Sequence, residues 1–314
     1  MYEATDKPRN TVKAHNMAKE SNWLVDFPSL SRDDLRMLQK SIDEGFREFS
    51  RGYGQMIEDF FDPLLHFMVW FEKLLLGAPW WAVIAVVAVL AYLASRSWKM
   101  VVGVIIAFLL IGFFGMWENT MRTVSIITVC TLLSIVIGIP IGIMMARYNR
   151  VQASVIPVLD VMQTMPGFVY LIPVVMLLGI GRVPGVIAVI IYAIPPVIRL
   201  TNLGIRLVDK DVLEAADAFG ANFRQRLLGV QIPLAMPNIM AGINQTIMMA
   251  LAMVVIASMI GVKGLGQPVL KAITNQYFSM GLFNGLAIVA IAIVFDRVSQ
   301  SYGRRMQKYR EVGH

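Results

Sequence analysis

Asp160 is the only acidic residue set well inside an apolar run of this 314-residue sequence, about two turns beyond Arg150. Placing a charge at membrane depth costs about 2.5–3.5 kcal/mol on insertion scales, so such a residue is a functional hypothesis in itself. Two readings stand side by side. The carboxylate attracts a cationic solute along a pathway, or it forms a structural ion pair with Arg147 or Arg199 near one surface. Gln163, Asn244 and Gln245 lie in the apolar runs as well, suited to hydrogen bonds between helices or to contact with a polar solute. Phe168, Tyr170 and Tyr192 are the aromatic faces best placed to attract a bulky cation, at about 0.5–2 kcal/mol each, with plain packing as the competing role.

Catalytic chemistry has little to work with. His15, His66 and His314 are too scattered to build a metal site, and Cys130 is a lone cysteine within an apolar run, so neither a thiolate cluster nor an intramolecular disulfide is expected. No nucleophile elbow or His/Cys/Asp/Glu cluster is visible. The sequence has no Gly-Lys dipeptide, hence no phosphate-cradling loop for ATP. The glycine-rich stretch Gly261-Val262-Lys263-Gly264-Leu265-Gly266 lacks the strand-turn-helix context of a dinucleotide site and reads as a turn.

The elements that position these residues follow from composition. Hydrophobic residues make up 57% of the chain and charged ones 16%, an apolar excess over soluble domains that points to lipid as the solvent. The net charge of +7 is uneven: residues 1–78 carry 10 Lys and Arg against 13 Asp and Glu, and residues 79–314 carry 18 against 8. Those basic residues flank apolar runs instead of forming one stripe, which argues for membrane topology over a nucleic-acid partner. A spanning helix needs roughly 20 apolar residues. Seven segments qualify, near 79–95, 100–117, 123–146, 153–180, 183–205, 235–262 and 280–298.

Positive charge then orients them. With the 1/2, 3/4 and 5/6 loops and the C-terminus inside, only Arg122, Arg182, Lys263 and Lys271 of the 18 basic residues after residue 78 fall outside. The acidic N-terminal tail is then expected on the outer side, with no cleaved signal peptide ahead of it. Residues 1–55 form a polar tail with few apolar anchors, and 56–78 reads as an interfacial amphipathic helix started or kinked by Pro63. If that segment crossed instead, there would be eight spans and an inside tail. The apolar body covers 79–303, and 304–314 is a basic tail.

One loop, 206–233, is too helical to be a mere connector. Asp211 is a suitable N-cap with Glu214 three residues on, Val212, Ala215, Ala216 and Phe219 share a helical face, Gly220 suits a left-handed C-cap, and Asn222 suits the cap of a second helix. Two short helices with a sharp bend are predicted. Such an alanine-faced helix either docks in a groove of another protein or lies on lipid headgroups.

The spacing Glu214-Ala215-Ala216, three residues, Gly220, nine residues, Val230-Gln231-Ile232-Pro233 resembles the EAA signature of ABC importer permeases, with Val230 and Ile232 replacing the usual Ile and Leu. The stretches at 159–186, 194–205, 232–251 and 254–270 further resemble the glycine betaine/proline branch of that family. The resemblance implies an all-α polytopic transmembrane bundle of the type I importer kind, with about seven spans and an amphipathic N-terminal tail, in a bacterial inner membrane with the C-terminus cytoplasmic. It also implies that Glu214, Ala215, Ala216, Phe219, Gly220 and Pro233 dock on a cytoplasmic ATPase.

The same resemblance implies two ATPase copies that hold ATP and Mg, a second permease copy, and import of compatible solutes such as glycine betaine, proline betaine or choline. Few residues follow Gly303, so the periplasmic substrate-binding protein is expected as a separate chain. Asp160, Gln163, Phe168, Tyr170, Tyr192 and Asn244 are the candidate translocation-path residues. The competing reading is a secondary transporter or channel for a small polar or cationic solute, which would need its own coupling-ion or selectivity site and would leave the loop signature unexplained.

Overall fold

The computed structural model describes the backbone of residues 29–311 and side chains through Gly303. His15 and most of the 1–55 tail, and His314 with most of the 304–314 tail, therefore lie outside the described residues or side chains. The chain divides into two units, residues 1–51 and 52–314, and apart from the start of α1 the features discussed below lie in the second. No strand occurs among the described residues.

Helix α1 (Arg32–Gly77) starts at Ser31, whose hydroxyl accepts from the Asp34 N–H and donates to the Asp34 carboxylate. It runs on through Pro63, so that proline neither starts nor ends it. The 56–78 segment buries Met68 in the main core, with Leu64, Leu65 and Phe71 packed around it. Glu72 is also buried there: its carboxylate receives both terminal nitrogens of Arg182, at 2.9 and 3.2 Å, and lies 3.5 Å from Nε of Arg122. A buried carboxylate needs such partners because unpaired it would strongly destabilise the site.

Two 16-residue helices follow, α2 (Trp80–Ser95) and α3 (Trp98–Phe113), joined through Arg96 in the left-handed conformation. Helix α4 (Trp117–Arg147) is a continuous 31-residue apolar rod. Helices α5 (Asn149–Thr164) and α6 (Gly167–Leu178) replace the single span expected over 153–180, with a bend of 102° between them. The cause is Pro166, which drives Met165 into extended geometry (ψ 132°) and stops α5 one residue earlier. Pro195 acts differently. Ile194 ahead of it stays helical, so α7 (Arg182–Ala193) and α8 (Pro195–Arg206) form one 25-residue apolar stretch.

After a loop region described below come α11 (Ile232–Ala257), α12 (Gly266–Asn275) and α13 (Phe278–Glu311). Among the described residues, four helices are long and apolar enough to cross a membrane, or six if each of two bent pairs counts as one crossing. Of the seven segments expected from composition, 123–146, 183–205, 235–262 and 280–298 correspond to the helices that meet this test alone, 79–95 and 153–180 fall in the two bent pairs, and 100–117 corresponds to the shorter α3.

The centre of the bundle is α4, α8 and α11, brought together by glycines. A methyl on Gly138 would strike Val197, one on Gly142 would lie 2.6 Å from Cβ of Thr201 and 2.8 Å from the Ile198 carbonyl, and one on Gly242 would lie 3.1 Å from the backbone of Val197. Small residues permit backbone approach where lipid supplies no hydrophobic drive between helices. Cys130, Val189, Met253 and Leu265 fill the adjoining core.

Candidate functional site

The 206–233 loop is built as two capped turns and a wide one. The N-cap of α9 (Lys210–Ala218) is Asp209, whose carboxylate accepts from the Asp211 N–H at 3.0 Å. This corrects the expected Asp211 cap: Asp209 has the extended ψ of 135° that a cap requires, and Asp211 sits in the first turn where it complements the helix dipole. Helix α9 closes with the Ala221 N–H on the Ala216 carbonyl and the Gly220 N–H on that of Asp217, with Gly220 at φ +75°, a Schellman ending. Asn222 then forms a full capping box with Gln225, at 2.9 and 2.8 Å, and opens α10 (Phe223–Arg226).

Between α10 and α11 the chain widens into a π turn, Leu227–Gln231, where the Ile232 N–H reaches back to the Leu227 carbonyl. Pro233 follows in the first turn of α11 and offers no N–H to the ladder, so the altered register falls where the regular one would be interrupted.

This loop is anchored at one side only. Arg226 Nη1 bonds both carboxylate oxygens of Asp217, at 3.1 and 2.8 Å, tying α10 to α9. The Arg147 guanidinium stacks over Phe223, 4.0 Å from the ring centre, tying α10 to the end of α4. Arg206 ties α8 to the same end, donating to the Met145 carbonyl, Asn149 and Asn202 at 2.8–3.0 Å. A cavity of about 150 Å³ lies between these anchors, lined by Ile143, Ile205, Leu227 and Gln231. Helix α9 itself buries no residue. Leu213 and Ala216 are half-buried, while Val212, Glu214, Ala215 and Phe219 are exposed, Phe219 at 93%. The apolar face expected from Val212, Ala215, Ala216 and Phe219 is thus turned mostly away from the rest of the chain.

The candidate path residues fall into separate groups. Asp160 pairs with Arg199, the second of its two expected cationic partners. Gln163 and Arg199 line a groove of about 410 Å³ that also touches Asn202 and Gln245, with Asp160 beside it through its pair with Arg199. Tyr170 and Tyr192 meet edge to face, with ring centres 5.6 Å apart, and the Tyr170 hydroxyl donates to the Met162 carbonyl. Tyr170 is buried in this contact, which answers to packing, whereas Phe168 on α6 is exposed. Asn244 donates to Asp296 at 3.0 Å and accepts from Ser299, joining α11 to α13 as a polar tie. Asp296, also bonded by Gln300, was missed as a partner because it lies 52 residues from Asn244.

Among the described residues no group of three or more His, Cys, Asp or Glu is placed to hold a metal ion.

Residues 138–308 match the family described as "Binding-protein-dependent transport system inner membrane component". Over 242 residues the chain is 49% identical to the glycine betaine/proline betaine transport system permease protein ProW of Escherichia coli K12, covering 77% of this chain and 68% of that one. The protein of the same name in Salmonella typhimurium LT2 is 51% identical over 205 residues, covering 65% of this chain and 58% of that one, so the chain spans less than two thirds of this relative's length. A solved structure titled as an inward-facing conformation of the MetNI methionine ABC transporter superposes with a TM-score of 0.54 at 17% identity, covering 61% of this chain and 95% of that one, which establishes the shared fold.

Proposed function

The chain belongs to the family of inner-membrane components of binding-protein-dependent transport systems, and we propose that it is the permease of an ATP-driven importer of small quaternary ammonium solutes of the glycine betaine type. The observation that carries this reading is α9: a capped helix with no buried residue, held to the bundle through Asp217–Arg226 and Arg147–Phe223. A short apolar-faced element that its own chain leaves uncovered, yet holds firmly at its base, suits transmission of a push from another subunit.

On this reading the ATPase docks against Val212, Glu214, Ala215, Ala216 and Phe219, with Gly220 setting the bend and Pro233 the start of the following helix. ATP and Mg belong to that subunit, since this sequence lacks a phosphate loop. Two ATPase copies, a second permease copy and a periplasmic binding protein complete the assembly. The end bearing Arg147, Arg206 and Arg226 is the cytoplasmic one, supported by the clustering of basic residues there, and the N-terminal tail is periplasmic. The proposed arrangement along the chain is a polar tail to 55 and an interfacial segment over 56–78, both entered by the single helix α1 from Arg32, then the permease body over 79–303 and a basic tail.

The test is reconstitution in proteoliposomes with the partner ATPase and binding protein, measuring labelled glycine betaine uptake. Uptake that requires ATP, and that Glu214→Lys uncouples from hydrolysis without loss of the folded permease, is the expected result. Uptake by the chain alone under an ion gradient would overturn the reading in favour of a secondary transporter.

A further inference from the structure

The ion pair of Asp160 on α5 with Arg199 on α8 is partly exposed and uses little of its bonding capacity. Glu72 takes two nitrogens of Arg182 with Arg122 beside it, and its side chain is 8% exposed. Arg206 is engaged by three acceptors. Arg199 meets Asp160 through a single Nη2–Oδ1 contact, and its Nε, like those of Arg122 and Arg226, is buried without a hydrogen-bond partner. A guanidinium has five N–H donors, so most of this one's capacity is open.

The pair is also reachable. The Asp160 side chain is 56% exposed and that of Arg199 35%. Arg199 lines the groove of about 410 Å³, whose other polar walls are Gln163, Asn202 and Gln245. Small-molecule sites run from about 300 to 1,000 Å³, mostly apolar with a few placed polar groups, and this groove has that make-up. Arg199 stands seven residues before Arg206 on α8, about 10 Å deeper along the helix at 1.5 Å per residue.

We propose that Asp160 and Arg199 form a zwitterion-receiving site, in which a solute carboxylate takes donors of Arg199 while the solute's ammonium end faces the Asp160 carboxylate, with the Gln163 and Gln245 amides alongside. The electrostatics favour this exchange. A zwitterion brings one charge of each sign, so the site stays neutral and neither protein charge is left unpaired, the condition that makes buried charges costly. A simple cation satisfies Asp160 only at the expense of Arg199. The inference rests on the compatible-solute reading above and adds to it the residues of the permease that meet the solute's two charges.

The test uses the complete reconstituted transporter and labelled glycine betaine as probe. The double variant Asp160→Asn/Arg199→Gln removes both charges together and so leaves no unpaired one. It is expected to keep wild-type thermal stability and ATPase binding while uptake falls at least ten-fold. Arg199→Lys retains the charge but loses the guanidinium's spare donors, and is expected to fall between wild type and the neutral pair. Wild-type uptake in the double variant would show the pair to be structural only and overturn the proposal. So would a Lys variant as inactive as the neutral pair, since packing and not charge would then be at stake. Absence of glycine betaine uptake in the wild-type complex would instead overturn the solute class on which the proposal rests.

Discussion

Gly220 is the position where one backbone angle is expected to control coupling. It sits at φ +75° at the end of α9, and a Cβ built there meets nothing within 4 Å. Substitution therefore carries no packing penalty, and the cost is conformational: about 1–2 kcal/mol for an L-residue in the left-handed region, with β-branched residues at the upper end. Since 1–2 kcal/mol is a factor of about 5–30 in an equilibrium, Gly220→Val should reduce the population of the bent, docking-ready loop by about that factor. Asparagine tolerates this conformation, so Gly220→Asn should remain near wild type, and Gly220→Ala should fall between. Helix α9 buries no residue, so the melting temperature of the purified permease should not change in any variant. The assay is ATP-driven uptake in proteoliposomes beside ATPase activity in the same vesicles. If Asn were as damaging as Val, or Val as active as Gly, the backbone argument would be wrong.

Three further outcomes follow from the same geometry. Arg226→Gln removes the tie to Asp217, an ion pair whose side chains are 32% and 50% exposed; such pairs are worth about 0.2–1 kcal/mol, so uptake should fall less than for Gly220→Val, and a larger fall would refute that ranking. Glu72→Gln strips the charge from a buried carboxylate and leaves Arg182 uncompensated, at about 3 kcal/mol, the lower end for a broken buried pair because Arg182 keeps 29% exposure; thermal melting of the purified protein should drop clearly, and unchanged melting would refute the clamp. Gly142→Leu forces a side chain against Thr201 and the Ile198 carbonyl and should cost about 1–3 kcal/mol or more, whereas Gly103→Leu, with open space around it, should be silent in the same measurement.

Local features of the loop were readable because they depend on residues a few positions apart. Gly220 and Asn222 cap their helices as their types require, and the break at Pro166 has a local cause even though the length of the apolar run 153–180 suggested one span. The N-cap was misplaced by two residues because Asp209 and Asp211 are chemically alike, and only the backbone angles distinguish a cap from a first turn. Of the two roles expected for Pro63, starting the helix is excluded, because α1 begins at Arg32 and continues through it.

By itself the sequence determined the all-helical class, the apolar lengths, the charge asymmetry and the capped loop with its signature spacing, since each follows from composition or from contacts within about four residues. Only the tertiary structure decided that Asp160 pairs with Arg199 and not Arg147, that Asn244 meets Asp296, and that Glu72, placed by sequence in a surface helix, is buried against Arg182, 110 residues away. Those pairings depend on how α1, α5, α7, α8, α11 and α13 pack around the centre of the bundle. At that centre α4, α8 and α11 approach closely at Gly138, Gly142 and Gly242. A linear sequence shows that small residues are present, but not which helix each one admits.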